Sequence, residues 1–220
     1  MKTKGDQLFE TFCLARGIQL AQIPEGKRKS PDFLARIDAS DFIVEVKTLE
    51  PNKEEAEVIA RRARGEIVAG GGTPGERLRR EIREANRQFK AYGCAELPTL
   101  LVVYNDTDCS IHCDPYSVMT AMQGLDVIDI TFPLNRSESP SWESPRSGLV
   151  GRVIREGINT STSAIAVLQV NDWTDVMLRV FHSEYARTPL PIDLLRLPGV
   201  AQFRLPVASR NSVDARWVEV

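Results

Sequence analysis

Six consecutive residues, Thr99-Leu100-Leu101-Val102-Val103-Tyr104, carry no charge and turn an apolar side chain to either side at almost every step. Successive residues of a strand point to opposite faces. A continuous apolar run of this length therefore predicts a strand buried on both faces, which needs packed material above and below it. With 220 residues, 42% of them hydrophobic, the chain is long enough to supply that material within one domain with additions.

The flanking pattern indicates what the layers are. Lys4 to Arg16 reads as a helix with Leu8, Phe12 and Ala15 on its apolar face and Gly17 as its stop signal. Ile18 to Ile23 reads as a short strand. A hairpin follows, with Phe33 to Asp38 ascending, a turn near Ala39-Ser40-Asp41, and Phe42 to Thr48 descending until Pro51. Lys53 to Arg64 has helical composition. Glu76 to Tyr92 is a second strong helix, capped by Gly93, with Ile82, Ala85, Phe89 and Tyr92 towards the core. Asp114 to Met122 looks like a helix capped by Asp114 with Pro115 at its first position. Ser163 to Val170 and Val176 to Phe181 read as a strand pair across Asn171-Asp172-Trp173-Thr174. The order predicts an α/β sandwich over residues 1–133, a polar loop or insertion over 134–148, and a β-rich C-terminal extension over 149–220 packed on the core.

One strand contains a conflict. Phe42-Ile43-Val44-Glu45-Val46-Lys47-Thr48 is apolar and branched, yet Glu45 and Lys47 share one of its faces. Burying a carboxylate and an ammonium there is costly unless each finds a partner or a metal. A turn near residue 40 brings Asp32 level with Glu45 to Lys47. Two carboxylates and a lysine then meet at the open end of one hairpin, an arrangement suited to magnesium. The competing expectation is an edge strand whose outer face carries Glu45 and Lys47 as a solvated ion pair.

These residues resemble the PD-(D/E)xK nuclease superfamily, whose fold is restriction-endonuclease-like. The resemblance rests on Pro31-Asp32, on Glu45-Val46-Lys47, on Glu10 in the preceding helix, and on Gln88-Phe89-Lys90-Ala91-Tyr92, which is similar to the Gln-x-x-x-Tyr motif of the exonuclease-like branch. It covers residues 4 to about 105. It implies a core of helix, mixed sheet with catalytic hairpin, helix and buried strand. It also implies catalytic roles for Asp32, Glu45, Lys47, Glu10, Gln88 and Tyr92, and Mg²⁺ or Mn²⁺ held by Asp32, Glu45 and the Val46 carbonyl, with oxygen ligands as hard cations prefer. The implied activity is metal-dependent hydrolysis of phosphodiester bonds in nucleic acid, DNA ahead of RNA. The alternative is an inactive nuclease-fold domain that binds nucleic acid or a protein partner, and cutting both strands of a duplex would call for a homodimer.

Charge is distributed unevenly. The formal net charge is −2, so the protein is not uniformly basic. Between residues 61 and 90, however, Arg61, Arg62, Arg64, Arg77, Arg79, Arg80, Arg83, Arg87 and Lys90 outnumber Glu66, Glu76, Glu81 and Glu84. Arg77, Arg80, Arg83 and Arg87 are the expected phosphate contacts, unless pairs such as Arg77-Glu81 and Arg80-Glu84 neutralise the helix. Lys27-Arg28-Lys29 forms a further basic loop leading into Asp32.

Other chemistries find less support. The run Gly70-Gly71-Gly72-Thr73-Pro74-Gly75 lacks the Gly-Lys-Ser/Thr of a nucleotide-binding loop and reads as a flap. Cys109, His112 and Cys113 lack the further ligands of a zinc site. The four cysteines are too scattered for a disulfide framework. No stretch is apolar enough to span a membrane, and Met1 to Asp6 lacks the core of a secretion signal, so the cytoplasm is the expected compartment.

Overall fold

The computed structural model describes residues 2–26, 29–68, 72–94, 96–107, 109, 112–135, 137, 139–143, 146–171, 175–206 and 216–220. Lys27 and Arg28 of the basic loop, Gly70 and Gly71 of the glycine run, Ser144 and Pro145 of the polar loop, and Asp172 to Thr174 between the last predicted strands lie outside the described residues.

Helix α1 spans Lys4–Ala15 and opens with a capping box between Thr3 and Asp6. Strands β1 (Gln19–Gln22), β2 (Phe33–Ile37) and β3 (Ser40–Leu49) follow. The hairpin turn is tighter than expected: Ser40 already pairs with Ile37, and Asp38 carries a positive φ of 51°. A short polar residue such as Asp tolerates that conformation. Helix α2 (Lys53–Ala63) has no fully buried residue, whereas α3 (Glu76–Tyr92) buries one long face. Strand β4 (Thr99–Asn105) and helix α4 (Pro115–Gln123, capped by Asp114) come next. Short strands β5 (Leu125–Val127), β6 (Ile130–Thr131), β7 (Ser141–Trp142) and β8 (Arg146–Val150) form two small two-stranded sheets. Strands β9 (Ala164–Asn171), β10 (Asp175–His182), β11 (Val200–Arg204) and β12 (Val218–Glu219) end the chain.

Eight strands make one mixed sheet in the order β1-β2-β3-β4-β9-β10-β11-β12. Its centre is parallel: β3 runs with β4, and β4 with β9. This corrects two expectations. The segment from Ala164 to Arg204 is not an extension packed on a finished core, because β9 pairs directly with β4 and continues the core sheet. Strand β3 is not an edge, because β2 and β4 flank it on both sides.

Each strand feeds two cores. Leu100 and Val102 of β4, with Val44 and Val46 of β3, face Phe9, Phe12 and Cys13 of α1. Leu101 and Val103, with Ile43 and Leu49, face Leu78, Ile82, Ala85 and Phe89 of α3 and Val118, Ala121 and Met122 of α4. The doubly buried strand is thus sandwiched between helical layers, and all four of its central residues are at most 1% exposed. On α1 the buried face is Gly5-Phe9-Phe12-Cys13, one position off the predicted Leu8-Phe12-Ala15 stripe. Gly5 lets the start of α1 lie against the sheet, since a Cβ there would come within 2.5 Å of Thr48 Oγ1. Gly75, with φ 72°, does the same between α3 and α4; its Cβ would meet the Ser117 carbonyl oxygen at 2.5 Å.

Candidate active site

Period-two geometry puts Ile43, Glu45, Lys47 and Leu49 on the α3 face of β3. Two of these are core hydrophobics, so the charged pair between them is drawn in as well. Glu45 is only 1% exposed. Its Oε1 lies 2.8 Å from Lys47 Nζ, whose side chain is 18% exposed. Among the described residues its Oε2 is buried without a hydrogen-bond partner.

Asp32 stands just before β2 and closes the far side of the site. Its Oδ2 accepts a 2.7 Å hydrogen bond from the Val46 amide. The amide and carbonyl of one strand residue point to the same side, so the Val46 carbonyl lies on the Asp32 side of β3 too. The Asp32 and Glu45 carboxyls are near enough to interact directly. Burial pushes Glu45 up to about 7, and the neighbouring Asp32 charge adds to the rise while Lys47 opposes it. Burial also raises Asp32, against the pull of the Val46 amide. Burial works to lower Lys47, but Glu45, Glu84 and Asp32 together hold its ammonium above the ordinary value.

Helix α3 supplies the opposite wall. Gln88 is 6% exposed; its Nε2 donates to the Ser30 carbonyl at 3.2 Å, fixing the loop that leads to Asp32. Its Oε1, like Glu45 Oε2, is buried without a partner among the described residues. Two unpartnered buried oxygens, one of them Glu45's own, are costly as they stand, and they fit a hard cation that takes oxygen ligands. Among the described residues no three His, Cys, Asp or Glu side chains gather into a ready-made cage. The donors for such a cation would therefore be Asp32, Glu45, the Val46 carbonyl and the Gln88 amide oxygen.

The remaining predicted residues divide. Tyr92 lies one turn beyond Gln88 but is 49% exposed rather than in the core. Glu10 on α1 forms an ion pair with Lys2, which precedes the helix. The α1 carboxylate whose charge reaches Asp32 is instead that of Asp6, which sequence reasoning missed. Its only local signal was its place in the capping box with Thr3.

Sequence reasoning also missed Glu84, one turn before Gln88 on α3. Its Oε1 lies 2.7 Å from Lys29 Nζ and 3.5 Å from Lys47 Nζ. Hydrogen bonding from Lys29, helped by Lys47, holds the Glu84 carboxyl below its usual range despite partial burial. The predicted Arg80–Glu84 pair does not form: Arg80 pairs with Glu81 at 2.8 Å. Arg77 likewise leaves Glu81 for Glu55 and the Glu50 carbonyl. Arg83 and Arg87 stay on the exposed face. A cleft of about 350 Å³ opens beside the site, lined by Lys29, Glu84, Arg87, Gln88 and Ala91.

His112, which the sequence places on a strand between Cys109 and Cys113, does not sit on one. It lies in a turn before α4, with Nε2 2.6 Å from Glu55 Oε1. Glu55 thereby joins α2, Arg77 of α3 and His112 in one partly buried network. Cys109 and Cys113 are free thiols. No described helix is long and apolar enough to cross a membrane. No family model matches the chain, and no curated protein or solved structure is detectably similar to it.

Proposed function

We propose that this chain is a metal-dependent nuclease of the PD-(D/E)xK type. In this reading α1, β1 to β4 and α3 form its restriction-endonuclease-like core, and it hydrolyses phosphodiester bonds of nucleic acid, DNA ahead of RNA. The observation that carries the reading is Glu45: a carboxylate 1% exposed, beside a second carboxyl, with one oxygen unpartnered and the other against Lys47. A structural ion pair has no use for the spare oxygen or for Asp32.

Asp32, Glu45, the Val46 carbonyl and Gln88 would hold Mg²⁺ or Mn²⁺. When bound, the ion supplies Lewis-acid polarisation of the scissile phosphate and lowers the pKa of the attacking water. Lys47 keeps its ammonium protonated at the edge of the site, where it orients that water and offsets phosphate charge. The Val46 amide holds Asp32 in one rotamer, and the Gln88–Ser30 bond keeps the incoming loop in place. Arg83 and Arg87 line the approach for the backbone. Arg77 and Arg80, both engaged with glutamates, are the weaker phosphate contacts.

The test is cleavage of plasmid and short single-stranded DNA in Mg²⁺ or Mn²⁺ by the wild type, Asp32→Ala and Lys47→Ala. Cleavage lost in both variants, with unchanged circular dichroism, supports the reading. Cleavage that persists in both, or none by the folded wild type with any substrate, rejects it.

A further inference from the structure

Resting on that reading, we infer that Lys29, Lys47 and Arg87 form a subsite for the phosphate adjacent to the scissile one, and that the Glu84 carboxylate occupies it until nucleic acid arrives. One oxygen of Glu84 is shared by two ammonium groups, Lys29 Nζ at 2.7 Å and Lys47 Nζ at 3.5 Å. A phosphate oxygen placed between two lysines would be held in the same way.

The surroundings agree with a bound anion. Arg87 lies one residue before Gln88 and lines the same cleft as Lys29 and Glu84. Two ammonium groups thus hold one carboxylate, and the Arg87 guanidinium, donating to the Arg83 carbonyl, lines the same cleft, while Glu45 engages Lys47 from the other side. Lys29 precedes Asp32 by three residues, and the intervening Ser30 is tied to Gln88. A strand in the cleft would therefore be registered against the carboxyl pair. Lys29 is well exposed, at 77% of its side chain, and Glu84 is 28% exposed. The contact can open without disturbing the core.

Displacement gives the subsite its signature. A carboxylate that competes with phosphate weakens binding, so removing its charge must tighten it. A carboxylate that merely braces Lys47 would have the opposite effect when removed. The experiment is fluorescence anisotropy with a short end-labelled single-stranded DNA in EDTA, where cleavage plays no part. The proteins are wild type, Glu84→Gln, Lys29→Ala and Arg87→Ala, with Glu76→Gln as the same charge change at the far end of α3.

The expected result is about two- to fivefold tighter binding by Glu84→Gln, the scale of a partly exposed ion pair, with Glu76→Gln near wild type. Lys29→Ala and Arg87→Ala should each weaken binding and lower the salt slope by roughly 0.7. Glu84→Gln binding no tighter than wild type, or no tighter than Glu76→Gln, overturns the subsite. Because the readout needs no metal, the two proposals separate. Tightening without any Mg²⁺- or Mn²⁺-dependent cleavage keeps Lys29, Lys47 and Arg87 as a phosphate-binding site and removes the nuclease. Cleavage without tightening does the reverse.

Discussion

Lys47 Nζ lies 2.8 Å from Glu45 Oε1, and both side chains spring from the same face of an internal strand. Such a pair contributes little net stability once desolvation is counted, yet removing one partner is expensive. Lys47→Met should therefore lower unfolding free energy by about 3 kcal/mol near pH 8, measured by urea denaturation. Near pH 5 the loss should shrink, because Glu45 can then take up a proton.

The pH dependence of the wild type follows from Glu45. Its folded pKa, about 7, lies above the ordinary 4.5. Between those values the folded protein holds a proton that the unfolded chain has released, so stability falls as pH rises through that window and levels off above it. Glu45→Gln should flatten that slope. Melting curves across the window check this, and Mn²⁺ should raise the midpoint of the wild type at pH 8 more than that of Glu45→Gln.

Asp32 combines a charge with an acceptor, and two substitutions separate the roles. Asp32→Asn keeps an oxygen for the Val46 amide and should fold normally while losing at least about a hundredfold in metal-dependent cleavage. Asp32→Ala leaves that amide without its partner and should also lose about 1–3 kcal/mol of stability. Paired cleavage assays and denaturation curves distinguish the two.

Gly75 tests how α3, which carries Gln88 and Glu84, is seated on α4. A Cβ at its φ of 72° is disfavoured and would also strike the Ser117 carbonyl. Gly75→Ala should cost about 3 kcal/mol, a fall of roughly 6–12 °C in thermal midpoint for a chain of this size.

What was legible in the sequence was what short-range chemistry writes there. The bounds of α3 matched because Gly75 and Gly93 bracket it and its apolar period is clean. Strand β4 was readable because burial on both faces leaves an unbroken apolar run. The meeting of Asp32, Glu45 and Lys47 followed from one hairpin. The partners that complete the site were harder to read, since they depend on packing between distant segments. Glu84 had Arg80 as its candidate partner on its own helix and took Lys29 and Lys47 instead. Asp6 serves locally in the capping box with Thr3, and only the docking of α1 on β3 brings its charge within reach of Asp32. Parallel pairing of β9 with β4 has no local signature, so the C-terminal strands looked like an addition.

That pairing has a consequence for how the protein is made. Strand β4 ends at Asn105, and the neighbour that covers its free edge begins at Ala164. During synthesis an apolar edge must wait for nearly sixty further residues to emerge, a window in which such edges recruit chaperones or one another. A fragment ending near residue 133 should be captured by chaperones or aggregate rather than behave as an independent domain. The strand beside the one that carries Glu45 and Lys47 is translated early and covered late.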